Sequence, residues 1–287
     1  MSVRDVIEAR LREGRPALIG YLPVGYPTVA GSIAAMRALV ESGVDIVEVG
    51  VPYSDPVMDG PLIQQAASTA LARGVRVDDV FEAVAAIVDA GGQAVVMTYW
   101  NLVLRRGVRR FAADLVAAGG QGLITPDLIP DEAQEWITAS DAHNLDRIFL
   151  VAPSSTRERL ATVSAASRGF IYAASTMGVT GVRAEVGSAA GELVQRVRDV
   201  TDTPVCVGLG VSTGEHAARV GASSYGVIVC SALVRALTAD LTDDLTEAGA
   251  DTGELHPDLR TLRTVTAELA DGVRRARHPG DPAGHLP

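Results

Sequence analysis

Short apolar runs alternate along the chain with segments whose apolar positions recur every three to four residues. The runs fall at residues 17–22, 45–51, 94–98, 122–125, 147–151, 170–173, 205–208 and 226–229. Runs this short read as buried strands. Helical periodicity fills the gaps at 30–42, 62–73, 77–90, 109–118, 131–142, 156–167, 189–200 and 213–220. Strands alternating with helices predict a parallel sheet. Eight such runs favour a closed (β/α)8 barrel over an open doubly wound sheet. One additional helix, residues 3–13, is placed to plug the bottom of that barrel. Asp131, Thr156 and Ser212 or Thr213 are expected helix N-caps. The pattern divides the chain into a barrel domain, 1–238, and an extension, 239–287. The extension is expected to hold an acidic linker to about residue 254, an amphipathic helix at 257–276 and a disordered Pro/Gly-rich tail.

The run at 45–51 carries a carboxylate. Alternation puts Val47, Val49 and Val51 on one face and Ile46, Glu48 and Gly50 on the other. A buried carboxylate is costly unless it is partnered or used. Asp59 stands eleven residues further on, in a Pro- and Asp-rich loop. Two readings stay open at this point. Glu48 and Asp59 form an acid/base pair in one cleft, or Glu48 is a paired structural charge and Asp59 a turn residue.

Composition narrows the chemistry. All 25 basic residues are arginine, so no lysine is available for a Schiff base. The five histidines are scattered without metal-ligand spacing. A net charge of −10 argues against nucleic acid and anionic membrane as partners. Cys206 and Cys230 lie in apolar runs and read as free thiols of a reducing cytoplasm. The N-terminus reads as an amphipathic helix rather than a signal peptide. Carboxylates, hydroxyls and backbone amides are left to do the work.

In a barrel the site gathers at the C-terminal ends of the strands. That rule collects Tyr21, Glu48, Asp59, Tyr99, Trp100, Tyr172 and the glycine-rich stretch 174–187. It also collects Gly208-Leu209-Gly210 and Cys230-Ser231 from the last two strands, where barrels commonly hold phosphate. A dicarboxylate, an anion site and an apolar slot suit an aromatic phosphate ester.

The motifs VEVGVPYSDPVMDGP, TYWN, ITPDLIP, YAASTMGVTG, GLG and CSAL, in this order, resemble those of the tryptophan synthase alpha subunit family. The resemblance runs from about residue 17 to residue 237. It implies a TIM barrel and the retro-aldol cleavage of indole-3-glycerol phosphate to indole and glyceraldehyde 3-phosphate, with no cofactor. It further implies Glu48 as the principal acid/base, Tyr172 beside it, and Asp59 on the indole N–H. Gly181, Gly210, Cys230 and Ser231 match the phosphate site, Thr180 the loop that closes over Asp59, and Tyr21, Tyr99 and Leu209 the indole pocket. Asp55 with Pro52 matches the surface that faces a pyridoxal-phosphate-dependent beta subunit, in an α2β2 assembly. Two alternatives differ measurably: a free-standing lyase is fast without a beta subunit, and a weakly catalytic activator is slow with one.

Cys230 stands where the family usually has glycine. If its thiol crowds the phosphate, Cys230→Gly lowers KM for indole-3-glycerol phosphate; an unchanged KM in steady-state assays shows that it does not.

Overall fold

The computed structural model describes residues 2–174, 185–208, 210–248 and 258–276, apart from the side chains of 185–189 and 242–248. Its strands are β1 (Ala17–Pro23), β2 (Ile46–Gly50), β3 (Gln93–Met97), β4 (Gly122–Ile124), β5 (Asp146–Ile148), β6 (Leu150–Val151), β7 (Ile171–Ala174), β8 (Val205–Gly208) and β9 (Gly226–Val229). Every pairing is parallel, in the order β5-β4-β3-β2-β1-β9-β8-β7-β6. The two ends of that order are consecutive pieces of one stretch, broken only at Phe149, so the sheet curls into a barrel. The expected eight strands become nine by this interruption.

The helices are α1 (Val3–Arg12), α2 (Val29–Glu41), α3 (Pro61–Ala72), α4 (Val77–Asp89), α5 (Trp100–Arg106), α6 (Val108–Ala117), α7 (Gln134–His143), α8 (Arg157–Ala166), α9 (Glu185–Arg198), α10 (Gly214–Gly221), α11 (Ser231–Ala248) and α12 (Arg260–Arg275). Two of them, α5 and α11, lie outside the segments that the apolar periodicity marks as helical. Helix α5 comes directly after the third strand and closes on Arg105, Arg106 and Gly107, an ordinary helix-stop signal. Helix α11 runs on through Ala248, past the point where the composition turns acidic. Thr156 and Thr213 cap α8 and α10 as expected. Asp131 does not cap α7: Pro130 opens a separate 3₁₀ turn, and the Asp131 carboxylate pairs with Arg159 at 2.7 Å.

Period-2 alternation builds two apolar layers. Leu18, Leu22, Val47, Val49, Val96 and Leu123 face the helices. Ala17, Ile19, Ile46, Val95, Ile124, Ile148, Phe170, Cys206 and Ile228 fill the barrel interior. Val3, Val6 and Ile7 of α1 join that inner cluster, so the helix does plug the barrel. Its entry is fixed by a Ser2/Asp5 capping box and by the Val3 N–H, which donates to the Asp146 carboxylate at 2.8 Å. On the outside, Leu262, Leu269 and Val273 of α12 pack into the outer layer.

One polar knot ties the entry segment to the barrel. Arg15 donates two hydrogen bonds to Asp45, at 2.7 and 2.9 Å, and the Leu18 N–H donates to the same carboxylate at 2.8 Å. The carboxylate is almost fully enclosed. Asp45→Asn takes the buried charge from both Arg15 and Arg10, leaving each only the exposed Glu13 carboxylate, and costs roughly 2–4 kcal/mol. Denaturant unfolding checks this; an unchanged midpoint would mean the knot contributes nothing.

Candidate active site

Glu48 is inward-facing by the same alternation that makes Ile46 and Ile19 core residues. It pairs in register with Tyr21 of β1 and Val95 of β3. Its solvent exposure is 0%, and among the described residues neither carboxylate oxygen has a hydrogen-bond partner. Burial, and secondarily the negative charge of Asp59, push its pKa up to about 8. At neutral pH this is a buried carboxylic acid with its proton on. A structural ion pair for Glu48, the competing reading, finds no cation among the described residues.

Asp59 sits in the loop between β2 and α3, where Gly60 N-caps α3 and Pro61 opens it. Burial raises its pKa, and the nearby Tyr99 hydroxyl opposes that rise. The two carboxyls therefore lie close enough to feel one another, in environments that differ. One is dry and unpartnered; the other is partly exposed, beside the Tyr99 hydroxyl.

Tyr21, the in-register neighbour of Glu48 on β1, and Tyr172 of β7 both lie within electrostatic reach of Glu48, and each is nearly buried. Both phenols are held well above their ordinary pKa, burial first and neighbouring negative charge after it. For Tyr21 that charge includes Asp59, Cys230 and Glu48. Two glycines make room for the rings. A Cβ at Gly50 would lie 2.4 Å from the Tyr21 hydroxyl oxygen, and one at Gly208 would lie 2.6 Å from that of Tyr172. Cys230 is partly buried at the end of β9, beside Tyr172 and in range of the Glu48 charge, and its thiol is pushed well above the usual range by burial. It is a poor nucleophile there.

The rim carries the remaining residues. Gly210 is exposed with a φ of 54°, a left-handed backbone that favours glycine although a Cβ would meet no neighbour. Ser231 opens α11 on the exposed side, and the Cys230 carbonyl accepts the first helical hydrogen bonds, from Leu233 and Val234. The backbone N–H groups of Ser231 and Ala232 precede that ladder and are available to an anion. Thr180, Gly181 and Leu209 lie outside the described residues.

Sequence reasoning does not reveal how Tyr99 is held. It precedes α5, stacks on Tyr53 with centroids 5.1 Å apart, and its hydroxyl accepts hydrogen bonds from the loop. Asp127 accepts from the Trp100 N–H at 2.9 and 3.1 Å, anchoring the start of that helix.

The family model for the tryptophan synthase alpha chain matches residues 7–258. The chain belongs to the tryptophan synthase alpha chain family. It is 63% identical over 267 residues to the tryptophan synthase alpha chain of Mycobacterium ulcerans, covering 93% of each. Identity to the Nocardia farcinica alpha chain is 62% over 264 residues, or 92% of each. A solved structure of Mycobacterium tuberculosis tryptophan synthase superposes with a TM-score of 0.85 at 60% identity, covering 95% of this chain and 98% of that one. The family's reaction is cleavage of indole-3-glycerol phosphate in tryptophan biosynthesis, and the chain is accordingly a carbon–carbon lyase. No described helix is long and apolar enough to cross a membrane.

A raised folded-state pKa on an acid has a definite sign. Between the ordinary glutamate value of 4.5 and about 8 the unfolded chain has shed a proton that Glu48 keeps, so stability falls as pH rises through that window. Glu48→Gln removes this slope. The variant gains about 3 kcal/mol on the wild type between pH 5 and pH 8. Denaturant unfolding of both proteins at the two pH values measures it; parallel slopes would mean Glu48 is ionised in the fold.

Proposed function

We propose that Glu48 and Asp59 divide the cleavage of indole-3-glycerol phosphate between them. The observation that carries this is the dry, unpartnered Glu48 carboxyl, protonated at neutral pH, beside a second carboxyl held in a different environment. Glu48 gives its proton to C3 of the indole ring. The ring becomes cationic, and Asp59, ionised, accepts the hydrogen bond of the ring N–H and offsets that charge. The Glu48 carboxylate then takes the proton of the glycerol hydroxyl next to C3. The bond between C3 and that carbon breaks, its electron pair returns to the ring, and indole and glyceraldehyde 3-phosphate result. The protonated indole is its own electron sink, which suits a chain without lysine.

Tyr172 packs beside Glu48 and keeps water from it; Tyr21 and Tyr99, with Leu209, border the ring. The phosphate rests on the first turn of α11 at Ser231, on Gly210 and on Gly181, with Cys230 beneath. Thr180 belongs to the loop that covers Asp59. No cofactor takes part.

The partner is a pyridoxal-phosphate-dependent beta subunit, in an α2β2 assembly, and the compartment is the cytoplasm. Three exposed apolar side chains support a docking face at the top of the barrel: Val57, Leu104 and Ile129, in the segments after β2, β3 and β4. Val57 is 73% exposed. Asp55 is exposed on the same rim, whereas Pro52 is buried and adds nothing to that surface.

Indole release by the purified chain, with and without a beta subunit, tests the reading. Slow release that rises many-fold with beta is expected; fast release indifferent to beta marks a free-standing lyase. Glu48→Gln lowers kcat by roughly 10²–10⁴-fold or more with a modest change in KM, and wild-type turnover would reject the assignment. Asp59→Asn is also severely slowed, unless Asp59 is only a turn residue.

A further inference from the structure

The Tyr99 hydroxyl is more constrained than a pocket wall requires. A phenol oxygen has two lone pairs and one proton. Here the backbone N–H groups of Val57 and Met58 both donate to it, each at 3.0 Å. With both lone pairs engaged, the remaining capacity of the group is donation of its proton. Asp59 is the residue directly after Met58, and its carboxyl lies within electrostatic reach of that hydroxyl. The loop therefore wraps the hydroxyl with two amides immediately before its own carboxylate.

The ring is fixed from other sides. It is 4% exposed and stacks on Tyr53 at an interplanar angle of 29°. The Tyr53 hydroxyl in turn accepts from the Asn101 side-chain amide at 3.3 Å. Asp127, after β4, holds the Trp100 N–H next door. The segments after β2, β3 and β4 thus converge around one tyrosine.

We propose that Tyr99 is a positioning residue, whose hydroxyl clamps the loop after β2 and aims the Asp59 carboxylate at the ring N–H of the substrate. The proposal rests on the reading of Asp59 given above. It predicts that the loop is preorganised by Tyr99 before substrate arrives, so that Asp59 spends no binding energy on orientation.

Tyr99→Phe keeps the ring and its stacking and removes the one oxygen. A lost hydrogen bond to a charged group lowers kcat roughly 10–100-fold, with KM changed less than about 3-fold. The acid limb of kcat/KM moves to higher pH, because burial then raises the Asp59 carboxyl unopposed. Amide exchange at Val57 and Met58 quickens. Tyr99→3-fluorotyrosine, a stronger donor of nearly unchanged shape, moves the acid limb to lower pH. A merely structural role would lower activity equally at every pH and leave the limb in place in both variants; that result overturns the proposal. If Asp59→Asn is slow while both Tyr99 variants keep the wild-type limb, only the role of Tyr99 falls. If Asp59→Asn turns over at the wild-type rate, the role of Asp59 falls and the proposal with it.

Discussion

A carboxyl group with no hydrogen-bond partner among the described residues, sealed inside a barrel, is the constraint around which this molecule is built. Glu48 occupies an inward position of β2, in the alternation that places Ile46 beneath it in the apolar interior. A cation or a hydrogen bond to the carboxylate would lower its pKa. Among the described residues it has no hydrogen-bond partner, and a second negative charge stands within reach. The group stays protonated, which is what carbon protonation needs, at a cost in stability that grows as the solution becomes basic.

The rest of the fold keeps that position dry and addressable. Helix α1 closes the bottom of the barrel with Val3, Val6 and Ile7, so the interior below Glu48 is apolar. Gly50 and Gly208 give up their side chains so that the rings of Tyr21 and Tyr172 fit against them. The loop after β2 brings Asp59 within electrostatic reach of Glu48 while leaving it partly exposed. Two carboxyls of nearly equal intrinsic acidity are thus held in unlike surroundings, one fully buried and one partly exposed, and burial raises the pKa of both.

Much of this is legible in the sequence because period-2 alternation has physical content. The faces assigned to Ile46/Glu48/Gly50 and to Val47/Val49 are those observed in the inner and outer layers. The plugging helix and the (β/α)8 order arise from the same periodicities. The features that local pattern does not reveal are tertiary. The strand lapses at Phe149 although Ile148 faces the interior and Phe149 the helical layer, as alternation requires, so the local pattern does not record the break. Helix α5 is short and starts on an aromatic residue, and its capping by Asp127 comes from a segment well removed in sequence. Helix α11 extends into a segment whose acidic composition suggests a linker. The sequence places the Tyr99 hydroxyl near the site but cannot assign its loop amides, since three separate segments must fold before they meet. Pro52, expected on the partner-facing surface, proves to be buried.

The most direct measurement is the protonation state of Glu48 itself. Infrared difference spectra between the wild type and Glu48→Gln isolate its carbonyl stretch. The account predicts a protonated-carboxyl band at neutral pH that titrates away at about pH 8. A carboxylate band alone at neutral pH, with the protonated form appearing only near the ordinary glutamate range, would contradict it.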